Sequence, residues 1–166
     1  MIRSLVLLLA IGISLLLVQS CSKEERDPCL QPITTVLRAR TIHPADTGSA
    51  RPDTSLPNPQ LRPLTGLSPQ FVYGGLKRQS RFTFTLSNVA DSSRWVLRPD
   101  SAVAFEDTLT FYYQRQLRFL SNSCGYTNFY NLERVTTTRN AIDSVFILRA
   151  DITTDANVEN LRILFR

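Results

Sequence analysis

The feature that most constrains the fold of this chain is a repeated alternation of apolar and polar residues over short segments. Residues 81–86 (RFTFTL) and 108–115 (TLTFYYQR) each place apolar side chains at every second position. A two-residue period is that of a β-strand with one buried face. Beyond the N-terminal apolar segment no stretch keeps the 3.6-residue period of a helix over three turns, and residues 139–143 offer one helical turn at most.

Short apolar or β-branched segments recur along the rest of the chain and are separated by turn signals. The predicted strands are residues 33–40, 71–76, 81–86, 95–98, 108–115, 117–120, 124–132, 144–149 and 161–165. This pattern predicts an all-β fold, an antiparallel β-sandwich of seven to nine strands. An immunoglobulin-like or other Greek-key arrangement is the first choice.

A proline-rich segment, residues 43–70, interrupts the strand pattern. Six of the nine prolines lie between Pro44 and Pro69. Because proline removes a backbone donor and is tolerated only at sheet edges or turns, we expect a long loop here, with at most a poor edge strand at residues 56–64. A loop of this length either serves a function or lacks fixed structure.

The N-terminus has the features of an export signal. Arg3 precedes an apolar run at residues 5–18, LVLLLAIGISLLLV. A membrane-spanning helix needs about 20 residues, so this run has the size of a signal-peptide core. Ser20 directly precedes Cys21, which resembles a bacterial lipobox. Residues 1–20 are then a signal peptide and Cys21 carries acyl chains, of which two suffice for stable anchoring; the alternative is a secreted protein with Cys21 as a free thiol.

The residues that follow Cys21 are expected to form a lipid-anchored tether. Residues 21–32 are polar, charged and contain prolines, which is typical of a solvated linker. The triplet at residues 23–25, Lys-Glu-Glu, resembles the export signal of bacteroidete surface lipoproteins. We therefore expect an outer-membrane protein that faces either the periplasm or the cell surface, with a single β-sandwich domain at residues 33–166.

Two cysteines, Cys29 and Cys124, remain after lipidation of Cys21. An exported chain enters an oxidising compartment, in which a pair of cysteines usually forms a bridge. We therefore predict a Cys29–Cys124 disulfide. Two buried free thiols or a metal site are the alternatives, although a single histidine in the chain argues against zinc.

The charge and the motif inventory give no sign of catalysis or of nucleic-acid binding. The precursor carries a net charge of +5, and removal of Arg3 leaves 5 − 1 = +4. The arginines are scattered among acidic residues, so no basic stripe for nucleic acid is formed. No nucleophile, zinc-protease or phosphate-loop motif occurs, and His43, the one histidine, lies in the proline-rich loop. We expect no catalytic residue, no metal and no cofactor, and thus no enzyme.

Four aromatic residues, Tyr112, Tyr126, Phe129 and Tyr130, lie on neighbouring predicted strands. Exposed together, they could stack on a sugar ring or contact a protein partner. The alternative is that they pack across strands inside the sandwich.

Several segments in a fixed order resemble an uncharacterised family of bacteroidete lipoproteins, known only as a domain of unknown function. They are Cys29 after the lipid cysteine, residues 86–92 (LSNVADS), residues 107–126 (DTLTFYYQRQLRFLSNSCGY), residues 141–145 (AIDSV) and residues 159–163 (ENLRI). The resemblance covers the C-terminal half of the chain well and the proline-rich part poorly. It implies envelope localisation and an all-β fold, and it implies no activity.

Together these features predict a lipid-anchored envelope lipoprotein that serves as a non-catalytic accessory or binding module. Its expected partners are the membrane, through the lipid on Cys21, and an envelope protein. The alternative is a surface carbohydrate-binding module of a glycan-uptake system, in which the four aromatic residues would contact the sugar.

Overall fold

The computed structural model describes residues 28–42, 55–64 and 78–166, and every regular element within them is a β-strand. The strands are β1 (Leu37–Ile42), β2 (Gln60–Pro63), β3 (Arg81–Phe84), β4 (Ser92–Arg98), β5 (Asp107–Ser121), β6 (Gly125–Thr137), β7 (Ile142–Ile147), β8 (Asp151–Ile152) and β9 (Leu161–Phe165). The predicted all-β fold is confirmed. The signal peptide, Cys21, His43 and the predicted strand at residues 71–76 lie outside the described residues.

The strands form two sheets, with the orders β3-β1-β9-β7 and β2-β4-β5-β6-β8. All strand pairs are antiparallel except β1 and β9, which run parallel. In the second sheet β4, β5 and β6 follow one another as a meander. This order differs from that of immunoglobulin constant domains, in which the strands divide as A, B, E, D and C, F, G.

Alternating side chains of both sheets meet in one core, as the sequence pattern predicts. Phe82 and Phe84 of β3 are buried from one sheet, and Phe111 of β5 from the other. The Phe84 ring makes edge contacts with Trp95 and Phe111, with ring centroids 5.6 and 5.0 Å apart. Such aromatic contacts add to the apolar burial and join the two layers into a sandwich.

The described part of the proline-rich segment is an ordered edge of the second sheet. Leu56 and Leu61 are buried in the core, and β2 pairs with β4 as far as Pro63, which lies opposite Trp95. β2 is the outermost strand of its sheet, where a missing backbone donor is tolerated. The predicted edge strand at residues 56–64 is therefore confirmed, whereas residues 43–54 and 65–77 lie outside the described part.

Buried polar side chains hold the places where the chain crosses between the sheets. At the crossing from β3 to β4, the buried hydroxyl groups of Tyr113 and Ser93 lie 2.7 Å apart. Both accept a hydrogen bond from the Ser87 backbone N–H, at 2.8 and 2.9 Å. A buried polar group costs little when it is paired, so this network fixes the path of the β3–β4 connection.

We expect Tyr113→Phe to lower the free energy of unfolding by about 1–2 kcal/mol, because the hydroxyl bonds inside the core are lost. Burial raises the pKa of Tyr113, and that of Tyr130, above the ordinary value of 10.0. Folding therefore favours the protonated form of these hydroxyls. Their contribution to the free energy of unfolding is fully present below pH 10.0, and it is lost as the pH rises through the folded-state pKa. Urea denaturation at neutral pH and above pH 10.0 measures how far the free energy of unfolding falls as the pH rises. This fall should be smaller for Tyr113→Phe than for wild type. An equal fall would contradict a role for the Tyr113 hydroxyl in the pH dependence.

The crossing from β6 to β7 is organised by the buried carboxylate of Asp107 at the start of β5. One oxygen accepts bonds from the Thr138 hydroxyl and the Asn140 N–H, and the other from the N–H groups of Ala141 and Ile142, all at 2.8 Å. The sequence-based possibility of a helical turn at residues 139–143 is wrong. The backbone donors of this segment bond to a distant side chain instead of to one another.

The crossing from β7 to β8 is held by the buried side chain of Asn160. Its amide nitrogen donates to the carbonyl oxygens of Arg149 and Asp151, at 3.2 and 3.1 Å. Its oxygen accepts from the Arg38 N–H of β1 at 3.1 Å. Asp107, Tyr113 and Asn160 thus stabilise the connections of the sandwich.

Candidate functional site

The second sheet ends in a long hairpin that extends past its neighbours. β5 and β6 contain 15 and 13 residues, whereas β4 pairs with β5 only as far as Tyr112. On the other side β8 pairs with β6 only at Tyr130 and Asn131. We call residues 114–131 the distal hairpin. It projects beyond β4 on one side and, apart from Tyr130 and Asn131 at its base, beyond β8 on the other.

The turn of the distal hairpin explains the Cys-Gly-Tyr segment of the sequence. Gly125 has a φ of +69°, in the left-handed region that glycine adopts without steric cost. Cys124 lies just before it and Tyr126 just after it. The three residues thus supply a covalent link, a turn and an exposed aromatic ring.

The predicted disulfide is confirmed: Cys29 and Cys124 are bonded, with their Cα atoms 4.8 Å apart. The segment that follows Cys29 lies beside β6 and is held by two hydrogen bonds. The Thr127 hydroxyl donates to the Ile33 carbonyl at 2.7 Å, and the Thr35 hydroxyl donates to the Asn128 carbonyl at 2.8 Å. We call Cys29–Val36 the strap. It carries the chain from the tip of the distal hairpin to the start of β1.

The face of the distal hairpin that continues the core face carries Arg115 and Asn128 near the core and exposed apolar side chains towards the tip. By the two-residue alternation of β5, Leu117 and Phe119 lie on the same face as buried Tyr113. Leu117, Phe119 and Tyr126 expose 67%, 54% and 66% of their surface. The rings of Phe119 and Tyr126 contact each other across the strands, with centroids 5.2 Å apart. We call this set the inner face.

The opposite face of the hairpin carries two rings that are covered by arginine side chains. The Arg134 guanidinium lies 4.2 Å from the centroid of the Tyr112 ring, and the Arg118 guanidinium lies 5.0 Å from that of Phe129. These are cation–π distances. Each ring therefore already has a partner on one side.

The structure does not bring the four aromatic residues predicted from the sequence into one surface. Tyr112 and Phe129 lie on the opposite face, and Tyr126 lies on the inner face. Tyr130 is only 6% exposed and packs edge-on against Tyr113, at 5.2 Å between centroids. Tyr130 therefore takes the packing role that was the alternative, and its ring is not available for stacking on a ligand.

Sequence reasoning missed the two residues that share the inner face with Tyr126. Leu117 and Phe119 were assigned to a separate short strand, although they continue the alternation of β5 through Tyr113. That alternation was the signal that could have identified them.

The charge of the distal hairpin is entirely positive. Residues 114–131 include Arg115 and Arg118 and no acidic residue. Arg115 is paired with the Asp91 carboxylate at 2.8 Å and donates to the Asn88 carbonyl at 2.9 Å. Arg118 donates to the Gln116 side chain at 3.1 Å in addition to its contact with Phe129.

The described residues contain no group of three or more side chains arranged to hold a metal ion. Asp107, the buried carboxylate of the core, has both oxygens bonded to the β6–β7 connection. No helix in the described part of the chain is long and apolar enough to cross a membrane. The exposed apolar side chains of the distal hairpin form the candidate site.

Comparison with known proteins gives one family match. A model of a family of unknown function, DUF6452, matches residues 69–165, which is more than half of the chain and includes Cys124 but not Cys29. Searches of curated proteins and of solved structures found no match. The chain therefore belongs to the DUF6452 family of unknown function.

Proposed function

We propose that this protein is a lipid-anchored lipoprotein of the bacterial cell envelope whose β-sandwich is a non-catalytic accessory or binding module. The observation that carries the proposal is the Cys29–Cys124 disulfide. A structural disulfide suits an exported chain. It also accounts for two of the three cysteines and leaves Cys21, which follows the apolar run and Ser20, as the acceptor for lipid.

The binding role is supported by the distribution of polar and apolar groups. The buried polar side chains Asp107, Tyr113 and Asn160 all bond to the connections of the sandwich. The exposed apolar residues of the distal hairpin are adjacent to one another, unlike singly scattered surface residues. This arrangement suits a module that acts by contact with a membrane or an envelope protein.

The carbohydrate-binding alternative has weaker support. Of the four aromatic residues, Tyr130 is buried, and the rings of Tyr112 and Phe129 are each covered by an arginine. Tyr126 remains exposed, but its ring is tilted by 58° from that of Phe119, so the two do not form one flat platform for a sugar. We therefore place glycan binding second.

The anchoring is tested by Cys21→Ser in the full chain expressed in a bacterial host with lipoprotein processing. We expect wild type to incorporate an alkyne-tagged fatty acid and to sediment with membranes, because acyl chains on the thiol bury many methylene groups. Cys21→Ser should lose the label and leave the membrane fraction.

The matched control for this test is the double variant Cys29→Ser and Cys124→Ser, which removes the other two cysteines and should retain the fatty-acid label. Equal labelling and sedimentation of wild type and Cys21→Ser would refute lipid anchoring at this residue.

A further inference from the structure

The inner face of the distal hairpin lies close to the place where the described chain begins. The disulfide joins Cys29 to Cys124, and Tyr126 follows Cys124 by two residues. The two threonine hydrogen bonds keep the rest of the strap beside β6. The beginning of the strap therefore cannot move away from the tip of the hairpin.

The distance from this point to the proposed lipid is limited by the length of the chain. From Cys21 to Cys29 there are 29 − 21 = 8 residue steps. A fully extended chain of this length spans at most about 28 Å. Whatever conformation these residues adopt, Cys29 stays within this distance of the anchor, and Cys124 at the tip of the distal hairpin lies 4.8 Å from Cys29 between Cα atoms.

The side chains near this point suit the interfacial region of a bilayer. The inner face combines a tyrosine, a phenylalanine and a leucine, and the strap adds Leu30, which is exposed, and Ile33. Aromatic rings with a polar end and aliphatic side chains are typical of segments that rest at the membrane–water boundary. An envelope protein could also bind such a face, but the short connection to the lipid favours the membrane.

The charge of the same region is complementary to an anionic lipid surface. Arg115 and Arg118 are the charged residues of the distal hairpin, and the strap contains none. Within the described chain, the strap and the distal hairpin therefore present no carboxylate of their own to an anionic headgroup layer.

We propose that the distal hairpin is a second membrane contact, in which Leu117, Phe119 and Tyr126 rest in the interface of the leaflet that holds the lipid on Cys21. The proposal rests on the proposed function for the lipid. The disulfide supports the proposal because it holds the tip of the distal hairpin beside the start of the strap, from which the chain leads back to the anchor. The opposite end of the sandwich, where Asp107 organises the β6–β7 connection, then points away from the membrane.

The test uses tryptophan as a depth probe in the full chain. Phe119→Trp places an indole on the inner face, and Phe146→Trp places one on β7, where the native ring is similarly exposed, at 49% against 54% for Phe119. The chain has a single native tryptophan, Trp95, which is buried and contributes the same background to both variants. Each lipidated variant is reconstituted into vesicles of phosphatidylethanolamine and phosphatidylglycerol, with and without lipids brominated in the upper acyl chain.

We expect the brominated lipids to quench the added fluorescence of Phe119→Trp by at least about twofold and to leave Phe146→Trp close to wild type, because bromine quenches only indoles that reach the acyl region. Equal quenching of the two variants, or none in either, overturns the hairpin contact. Thermal unfolding of both variants checks that neither substitution disturbs the fold.

The fatty-acid label on Cys21, measured on the same preparations, separates the two proposals. A labelled Phe119→Trp protein that escapes quenching refutes the hairpin contact and leaves the anchoring intact. A protein without label refutes both, because the limit on distance depends on the lipid.

Discussion

The free energy of unfolding is expected to fall by about 4 kcal/mol when Cys29→Ser and Cys124→Ser are combined. The disulfide joins residues 95 positions apart, so its removal frees a long loop in the unfolded chain. In the chain-entropy account the gain in freedom grows with the logarithm of loop length, and this loop is long. Urea denaturation of the mature chain measures the change.

A second consequence of the double variant is local. The strap would retain only the two threonine hydrogen bonds to β6, so backbone amides of the distal hairpin should exchange hydrogen faster, while those of β1 and β9 keep their protection. Wild type treated with a reducing agent is the control, because it should match the double variant in both measurements. If the free energy of unfolding fell by less than about 1 kcal/mol in the double variant, the disulfide would constrain the unfolded chain only slightly.

Asp107→Asn is expected to lower the free energy of unfolding by about 3–5 kcal/mol, although it changes the shape of the side chain very little. The carboxylate accepts four hydrogen bonds at 2.8 Å, three of them from backbone N–H groups. An amide has one accepting oxygen, so its NH₂ group would face two donors. The Ile142 donor is buried and the other three are part-buried, and a donor left without a partner away from water costs more free energy than a hydrogen bond contributes on average.

Asp143→Asn is the matched control for this prediction. Asp143 is close in sequence to the same connection, but its side chain is 50% exposed and lies 4.0 Å from that of Arg166. An exposed pair of this kind contributes little, so the variant should stay within about 0.5 kcal/mol of wild type. Similar losses for the two variants would mean that the contacts of Asp107 do not hold the crossing. Thermal and urea unfolding of both proteins decide between these results.

The sequence predicted best those strands in which apolar and polar residues alternate, because the alternation identifies the buried face of the strand. Phe82 and Phe84 in β3, and Leu109 and Phe111 in β5, are buried as their spacing requires. β8 was missed because a two-residue strand has no period to detect. The sequence allowed one helical turn at most at residues 139–143, and it did not reveal the extended connection because the hydrogen-bond partner, Asp107, lies more than 30 residues away in sequence.

The faces of the aromatic residues in β6 could not be read from the sequence because of an irregularity in its pairing with β5. Tyr112 pairs with Arg134 and Tyr113 with Leu132, so Glu133 is an extra residue on β6. A β-bulge of this kind shifts the alternation by one position. If the alternation continued without a bulge from Val135, the side chain of residue 129 would lie on the core face. In the structure the side chain of Tyr130 lies on that face instead.

The disulfide was predictable because the expected export and the number of cysteines together left few alternatives. The surface beside it was not predictable, because the positions of Phe119 and Tyr126 relative to the start of the strap depend on the path of the folded chain. The sequence therefore predicted which cysteines are bonded, and the structure shows which side chains lie next to that bond.

Mass spectrometry of the mature protein from bacterial membranes tests the central claim most directly. We predict an N-terminal peptide that begins at Cys21 and carries acyl chains, together with a non-reduced peptide pair that joins Cys29 to Cys124. A mature chain that begins at another residue, or one in which Cys21 carries no lipid, would contradict the account.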